Sequence, residues 1–187
     1  MMIKTFAIGA FCASLTFTAQ ATEKMYGVVT SGYSDVTFLE QGLELDNVNY
    51  SLALGHQFKR QWYAEAGVRE IIDGEGEMYS MQASSLYLAV LGKAGHQVGE
   101  LFYKLGVMNI DVQGYQPANG EECPIGNVSL ITKRCEFDEG LFGGMVALGF
   151  DYHLSLRTMV RFEIEHIRGE NDFKANLVNL GIRYNFN

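Results

Sequence analysis

Three stretches of this chain alternate apolar and polar side chains for about ten residues at a time, and that period leaves few folds open. In 47–58, Val48, Tyr50, Leu52, Leu54 and Phe58 share a face with His56, opposite Asn49, Ser51, Ala53, Gly55 and Gln57. Val178, Leu180, Ile182, Tyr184 and Phe186 stand opposite Asn179, Gly181, Arg183 and Asn185. Thr158, Val160, Phe162 and Ile164 stand opposite Arg161, Glu163 and Glu165. A period of two is a β-strand. Strands in soluble sandwiches usually stop after about five or six residues. A run of roughly ten is what a tilted strand needs to cross a bilayer, with one face toward lipid and the other toward a polar lumen.

Eight such segments follow one another at about 25–35, 47–58, 62–72, 78–91, 100–113, 141–153, 157–168 and 174–186. The first and fourth alternate weakly, so their faces stay open. The expected fold is all-β: an eight-stranded antiparallel up-and-down transmembrane β-barrel. Sixteen strands of about eleven residues would need roughly 176 positions, more than the chain supplies beyond its leader. No segment is apolar for long enough to cross as a helix. The connections 59–61, 93–98 and 154–156 are short, whereas 36–46, 73–77, 114–140 and 169–173 are longer or more acidic. The second set carries thirteen of the 22 acids, while the short turns carry Lys59, Arg60, Lys93 and no acid. That asymmetry places the short turns in the periplasm and the longer loops outside. A formal net charge of −8 without any basic stripe argues against a nucleic-acid partner. The outer acids suggest bridging by divalent cations to neighbouring lipopolysaccharide phosphates.

Residues 1–21 read as an address rather than as fold. Lys4 precedes an apolar run from Phe6 to Phe17, and Ala19-Gln20-Ala21 has the form of a cleavage site. This is the layout of a secretory signal peptide, whose removal leaves 22–187 as the barrel. The run is too short for a transmembrane anchor, and Phe11 before Cys12 is too bulky for a lipoprotein signal. Two cysteines then remain, Cys123 and Cys135, both on the loop at about 114–140 with Pro117 and Pro124. An oxidising compartment makes them a predicted disulfide, worth about 3 kcal/mol in the simple loop-closure treatment. Two cysteines without a neighbouring histidine are too few for a metal, and no cofactor is expected. The staple protects the loop or presents it, with Val128, Leu130 and Ile131 as an apolar tip.

The segment Asn179-Leu180-Gly181-Ile182-Arg183-Tyr184-Asn185-Phe186 resembles the C-terminal assembly signal of bacterial outer-membrane barrels, with Asn179, Gly181, Tyr184 and Phe186 at the signal positions. Leu101 to Val107, Gly149 to Tyr152 and Arg161 to Glu165 resemble the small eight-stranded OmpA/OmpX-like family. The resemblance implies a cell outer-membrane location, surrounding lipid and lipopolysaccharide, and handling by the barrel-assembly machinery. Taking each polar face as inward puts Glu65, Arg69, Lys104, Asp151, Arg161, Glu163, Glu165 and Arg183 in the lumen, four acids and four bases. Eight strands leave room only for side chains, and each buried charge then needs a partner. A plugged, salt-bridged lumen serving envelope integrity or an extracellular partner is one reading. In OmpA-type barrels an Arg–Glu lumen pair is thought to switch partners and open a path. Arg161 and Glu65 resemble that pair, so a narrow gated pore for ions or small solutes is the alternative. Lipid hydrolysis would rest on His153 and Ser155, which fall at a periplasmic turn with Glu163 and Glu165 pointing away. No catalytic residues are assigned.

Overall fold

The computed structural model describes residues 24–38, 43–75, 80–117, 127–129 and 134–186. The leader expected at 1–21 lies outside them, as do Cys123, Leu130 and Ile131. The described strands are β1 (Met25–Phe38), β2 (Leu43–Lys59), β3 (Trp62–Glu75), β4 (Ser80–Gly95), β5 (Gly99–Pro117), β6 (Asn127–Ser129), β7 (Arg134–His153), β8 (Thr158–Gly169) and β9 (Lys174–Asn185). All pair antiparallel. β1 to β5 follow each other around the wall, β9 pairs with β1, and β8 with β9. β7 pairs with both β8 and β5, which closes a barrel of eight strands. β6 is an addition to the edge of β7, with Val128 opposite Cys135. Closure leaves no open edge within the barrel wall, the condition for backbone amides to sit in hydrocarbon.

The first residues of β1, the last of β9 and the short turns lie at one end. Met25 pairs with His56, Tyr26 with Asn185 and Lys59 with Trp62. The other end differs from the sequence expectation. Residues 114–140 are not one long loop, because β5 runs to Pro117 and β7 begins at Arg134, in register from Pro117↔Arg134 downward. Likewise β1 and β2 stay paired out to Phe38↔Leu43. The backbone ladder continues above the apolar band, where the face that identified strands from sequence turns polar. At 19 residues, β5 rises about 48 Å for a tilt near 40°, against an apolar band about 25 Å tall.

What fills the barrel changes along its axis. On β3 the outward side chains Ala64, Ala66 and Val68 give way to Glu70, and the inward Glu65 and Arg69 give way to Ile71. On β8 outward Phe162 and Ile164 give way to His166, and inward Arg161, Glu163 and Glu165 give way to Ile167. On β5 outward Leu105 and Val107 precede Asn109 and Asp111, and inward Lys104 precedes Met108 and Ile110. The lower barrel is therefore apolar outside and charged inside, as lipid demands, and the upper barrel is polar outside and apolar inside, as water demands. The inversion takes about two residues per strand. The sequence reading of a salt-bridged lumen holds for the lower part only. The upper lumen is packed by Val36, Ile71, Ile72, Met81, Met108, Ile110, Val112, Ile167, Phe173 and Leu177, none more than 1 % exposed.

Candidate functional site: a charge network below an apolar cap

Six of the eight wall strands supply the lumen charges, each placed inward by the pleat. All eight residues expected there are buried at 4 % exposure or less. Two more join them. Lys93 was expected in a short turn, but β4 continues to Gly95, so the pleat turns Lys93 inward. Glu100 shares the inward parity of Lys104 on β5. One acid and one base are added, and the set becomes five against five.

These ten groups form one connected chain. At the short-turn end, Glu100 pairs with Lys93 at 3.2 Å and with Arg183 at 2.7 Å. Both cations also reach Asp151, at 2.6 and 2.9 Å. The Arg161 guanidinium then bridges two acids, donating from Nε to Asp151 Oδ1 at 2.7 Å and from Nη1 to Glu65 Oε2 at 3.0 Å. Lys104 links Glu65 at 3.1 Å to Glu163 at 2.9 Å. At the upper end Arg69 holds Glu165 through both terminal nitrogens, one of them at 2.9 Å. Every carboxylate thus has at least one cation within ion-pair reach, which is what a desolvated charge requires.

Aromatic rings that the sequence reading did not place complete the network. The Tyr26 and Tyr87 hydroxyls both donate to Glu65, at 3.0 Å each. The Arg183 guanidinium lies 4.1 Å from the Tyr26 ring centre and that of Arg161 4.5 Å from the Phe102 ring centre, both cation–π distances. Tyr26 and Tyr87 lie on the two strands whose faces were ambiguous, so alternation alone could not find them. A signal existed in cross-strand pairing. Tyr26 stands opposite Gly55, Tyr87 opposite Gly67 and Phe102 opposite Gly149, where any larger side chain would collide with the ring.

Asn179 of the C-terminal segment is buried in the lumen, whereas Tyr184 and Phe186 face outward with their rings 5.8 Å apart, edge to face. Gly181 lets β9 approach β1 closely, since a Cβ there would meet Thr30. Cys135 is fully buried, and its expected partner Cys123 lies outside the described residues. His153 and Ser155 serve the β7–β8 turn: the Ser155 hydroxyl accepts from the Thr158 amide at 3.1 Å, and the His153 ring contacts the Gln97 carbonyl at 3.4 Å.

Solved structures of the same fold cover nearly the whole chain. The barrel is similar to Neisserial surface protein A (TM-score 0.64, 9 % identity, 87 % of this chain and 97 % of that one). It is also similar to the N-terminal β-barrel domain of Pseudomonas aeruginosa OprF (TM-score 0.59, 10 % identity, 87 % of this chain and 98 % of that one). Ail, the attachment invasion locus protein of Yersinia pestis, superposes with a TM-score of 0.57 at 11 % identity over 86 % of this chain and 98 % of that one. Identities this low establish the fold alone. No curated protein matches the sequence. The model of the outer membrane protein beta-barrel domain matches residues 5–186, and with the closed eight-stranded wall and its outward apolar band this chain belongs to that family of outer-membrane barrels.

Proposed function

We propose that this protein is a non-conducting, non-enzymatic barrel that acts through its outer surface, in envelope integrity and in contact with a partner outside the cell. The observation that carries this reading is the apolar cap above the charge network. Met81, Ile71, Ile110, Val112, Ile167 and Phe173 are all fully buried, so the charged lower lumen ends against packed hydrocarbon. An ion following the network upward would meet side chains with nothing to replace its hydration shell, and that desolvation costs several kcal/mol or more. Above the cap, the upper parts of β5 and β7 with β6 form a paired antiparallel ribbon, and residues carried on such a scaffold are where binding usually sits.

Planar-bilayer recording of the folded protein tests this, with folding established beforehand by its gel shift without boiling. The expected record is silent between rare defects. Sustained openings would overturn the reading. A gated pore keeps one observation in its favour, since Arg161 does bond Glu65. Its fingerprint would be openings that Arg161→Leu abolishes or locks. A partner switch at Arg161 alone opens no path, because the cap lies above it.

A further inference from the structure

We infer that the short-turn mouth of the lumen is a binding site for a small periplasmic zwitterion, an amino acid or dipeptide, with Arg183 holding its carboxylate and Glu100 its ammonium. A pocket of about 250 Å³ opens there, its wall including Gln57, Tyr63, Glu100, Arg183 and Asn185, with Leu156 of the β7–β8 turn at its edge. These five wall residues all have inward parity on their strands, so the pocket is the lower opening of the lumen itself. Short turns of such barrels face the periplasm. The volume lies below the roughly 300–1,000 Å³ of sites for drug-sized ligands, which limits the occupant to something the size of an amino acid or dipeptide.

Two groups of opposite sign in this pocket have bonding capacity left over. Arg183, 4 % exposed, spends Nη1 on Glu100 at 2.7 Å and Asp151 at 2.9 Å, whereas its buried Nε has no acceptor among the described residues. An unpaired buried donor costs about 1–3 kcal/mol, which an incoming carboxylate removes. The Nε edge of a guanidinium is also one of those that grip a carboxylate with two parallel hydrogen bonds. Glu100 is the most open carboxylate of the network, its side chain 20 % exposed, and both its cation contacts fall on Oε2, which leaves Oε1 for an ammonium. A simple cation would face Arg183 and a dianion would face Glu100, whereas a zwitterion satisfies both. The rim selects the carboxylate first. The Arg60 and Arg157 carbonyls hold the Gln57 side chain and the Asn185 amide, which sets both arginines at the opening, with Lys24 and Lys59 nearby. Among the described residues Glu100 is the only acid with open surface at this end, and Glu23, the sequence neighbour of Lys24, offsets one basic charge. In a chain of net charge −8, attraction for a carboxylate is thus concentrated at this mouth. Leu156, 99 % exposed, supplies an apolar lip for a small side chain. The inference stands whether or not the lumen conducts, because the pocket opens below the cap.

The test is isothermal titration calorimetry of the full barrel refolded in a non-ionic detergent, with Ala-Ala as the probe and Ala-Ala amide, N-acetyl-Ala-Ala and glutarate as comparisons. Ala-Ala is expected to bind once per barrel, and the other three at least tenfold more weakly, since each lacks the carboxylate or the ammonium. Arg183→Lys keeps the charge but loses the fork, and is expected to weaken Ala-Ala at least tenfold. Glu100→Gln is expected to bring Ala-Ala down to the level of N-acetyl-Ala-Ala and to leave N-acetyl-Ala-Ala itself unchanged, a pattern that general disturbance of the lumen would not produce. Leu156→Gln, on an exposed turn, is expected to weaken Ala-Ala severalfold, and Lys174→Gln at the opposite end to leave it unchanged. Absence of saturable Ala-Ala binding to wild type would overturn the site, as would equal affinity for Ala-Ala and its amide. An equal loss in Lys174→Gln would also overturn it, by reducing the effect to net charge. The ligand comparisons need only wild type, so they decide even if Arg183→Lys fails to fold.

Discussion

Replacing Arg69 by leucine is the sharpest test of whether the lower lumen behaves as a desolvated, charge-compensated interior. Arg69 holds both oxygens of Glu165, and among the described residues the only other cation near that carboxylate is Lys104, at 4.0 Å. Glu165 is 1 % exposed, so Arg69→Leu leaves a buried acid with one distant cation. Breaking a buried pair by removing one partner costs about 3–5 kcal/mol. Arg161→Leu removes more bonds and should still cost less, toward the lower end of that range. Asp151 would keep Lys93 at 2.6 Å and Arg183 at 2.9 Å, and Glu65 would keep Lys104 at 3.1 Å and two tyrosine hydroxyls. Removing both members, Arg69→Leu with Glu165→Leu, should bring stability back to within about 1 kcal/mol of wild type, since apolar replacement of a whole buried pair is near neutral. Urea unfolding from lipid vesicles, followed by the fluorescence of Trp62, the one tryptophan in the chain, measures wild type, the single variants Arg69→Leu, Glu165→Leu and Arg161→Leu, and the double variant. If Arg69→Leu costs under about 1 kcal/mol, or if the double variant is as unstable as the sum of its parts, water reaches these charges and the account of the lumen fails.

Four further outcomes are expected. Leu180→Lys, in the lipid-facing band, should cost about 2–4 kcal/mol in the same unfolding assay, whereas Asn109→Lys, above the inversion, should cost under about 1 kcal/mol. Equal costs would place the membrane boundary wrongly. Gly55→Val should displace the Tyr26 ring and its bond to Glu65, destabilising by about 1–3 kcal/mol. Phe186→Ala should lower the yield of assembled barrel in cells while leaving the unfolding midpoint of refolded protein nearly unchanged, because the ring faces outward, 42 % exposed, with Tyr184 as its aromatic neighbour. For the proposed staple, the unreduced mass should fall about 2 Da below that of two free thiols, and two alkylated thiols without reductant would exclude a Cys123–Cys135 bond.

Much of this protein could be read from one dimension. Alternation along 47–58, 158–165 and 178–186 gave strand and facing together, because a pleat turns successive side chains to opposite media and lipid admits only one kind. For the same reason eight of the ten lumen charges were legible: each sits at inward parity within a strand whose other face is plainly apolar. Local pattern went no further. Lys93 was misplaced because a strand end is invisible when the next residues, Ala94 and Gly95, are small and carry no facing signal. The upper ends of β5 and β7, 114–117 and 134–140, read as loop because glycine, proline and acidic residues there break the alternation of apolar and polar side chains. Which cation meets which acid was closed to the sequence as well. Arg69 and Glu165 are 96 residues apart and meet only because the wall closes β5 onto β7. The apolar cap and the cross-lumen ion pairs are properties of that closure. The medium on each side of the wall is written in the sequence, whereas what faces what across the lumen is decided by tertiary structure, since only the closed register brings distant strands within reach.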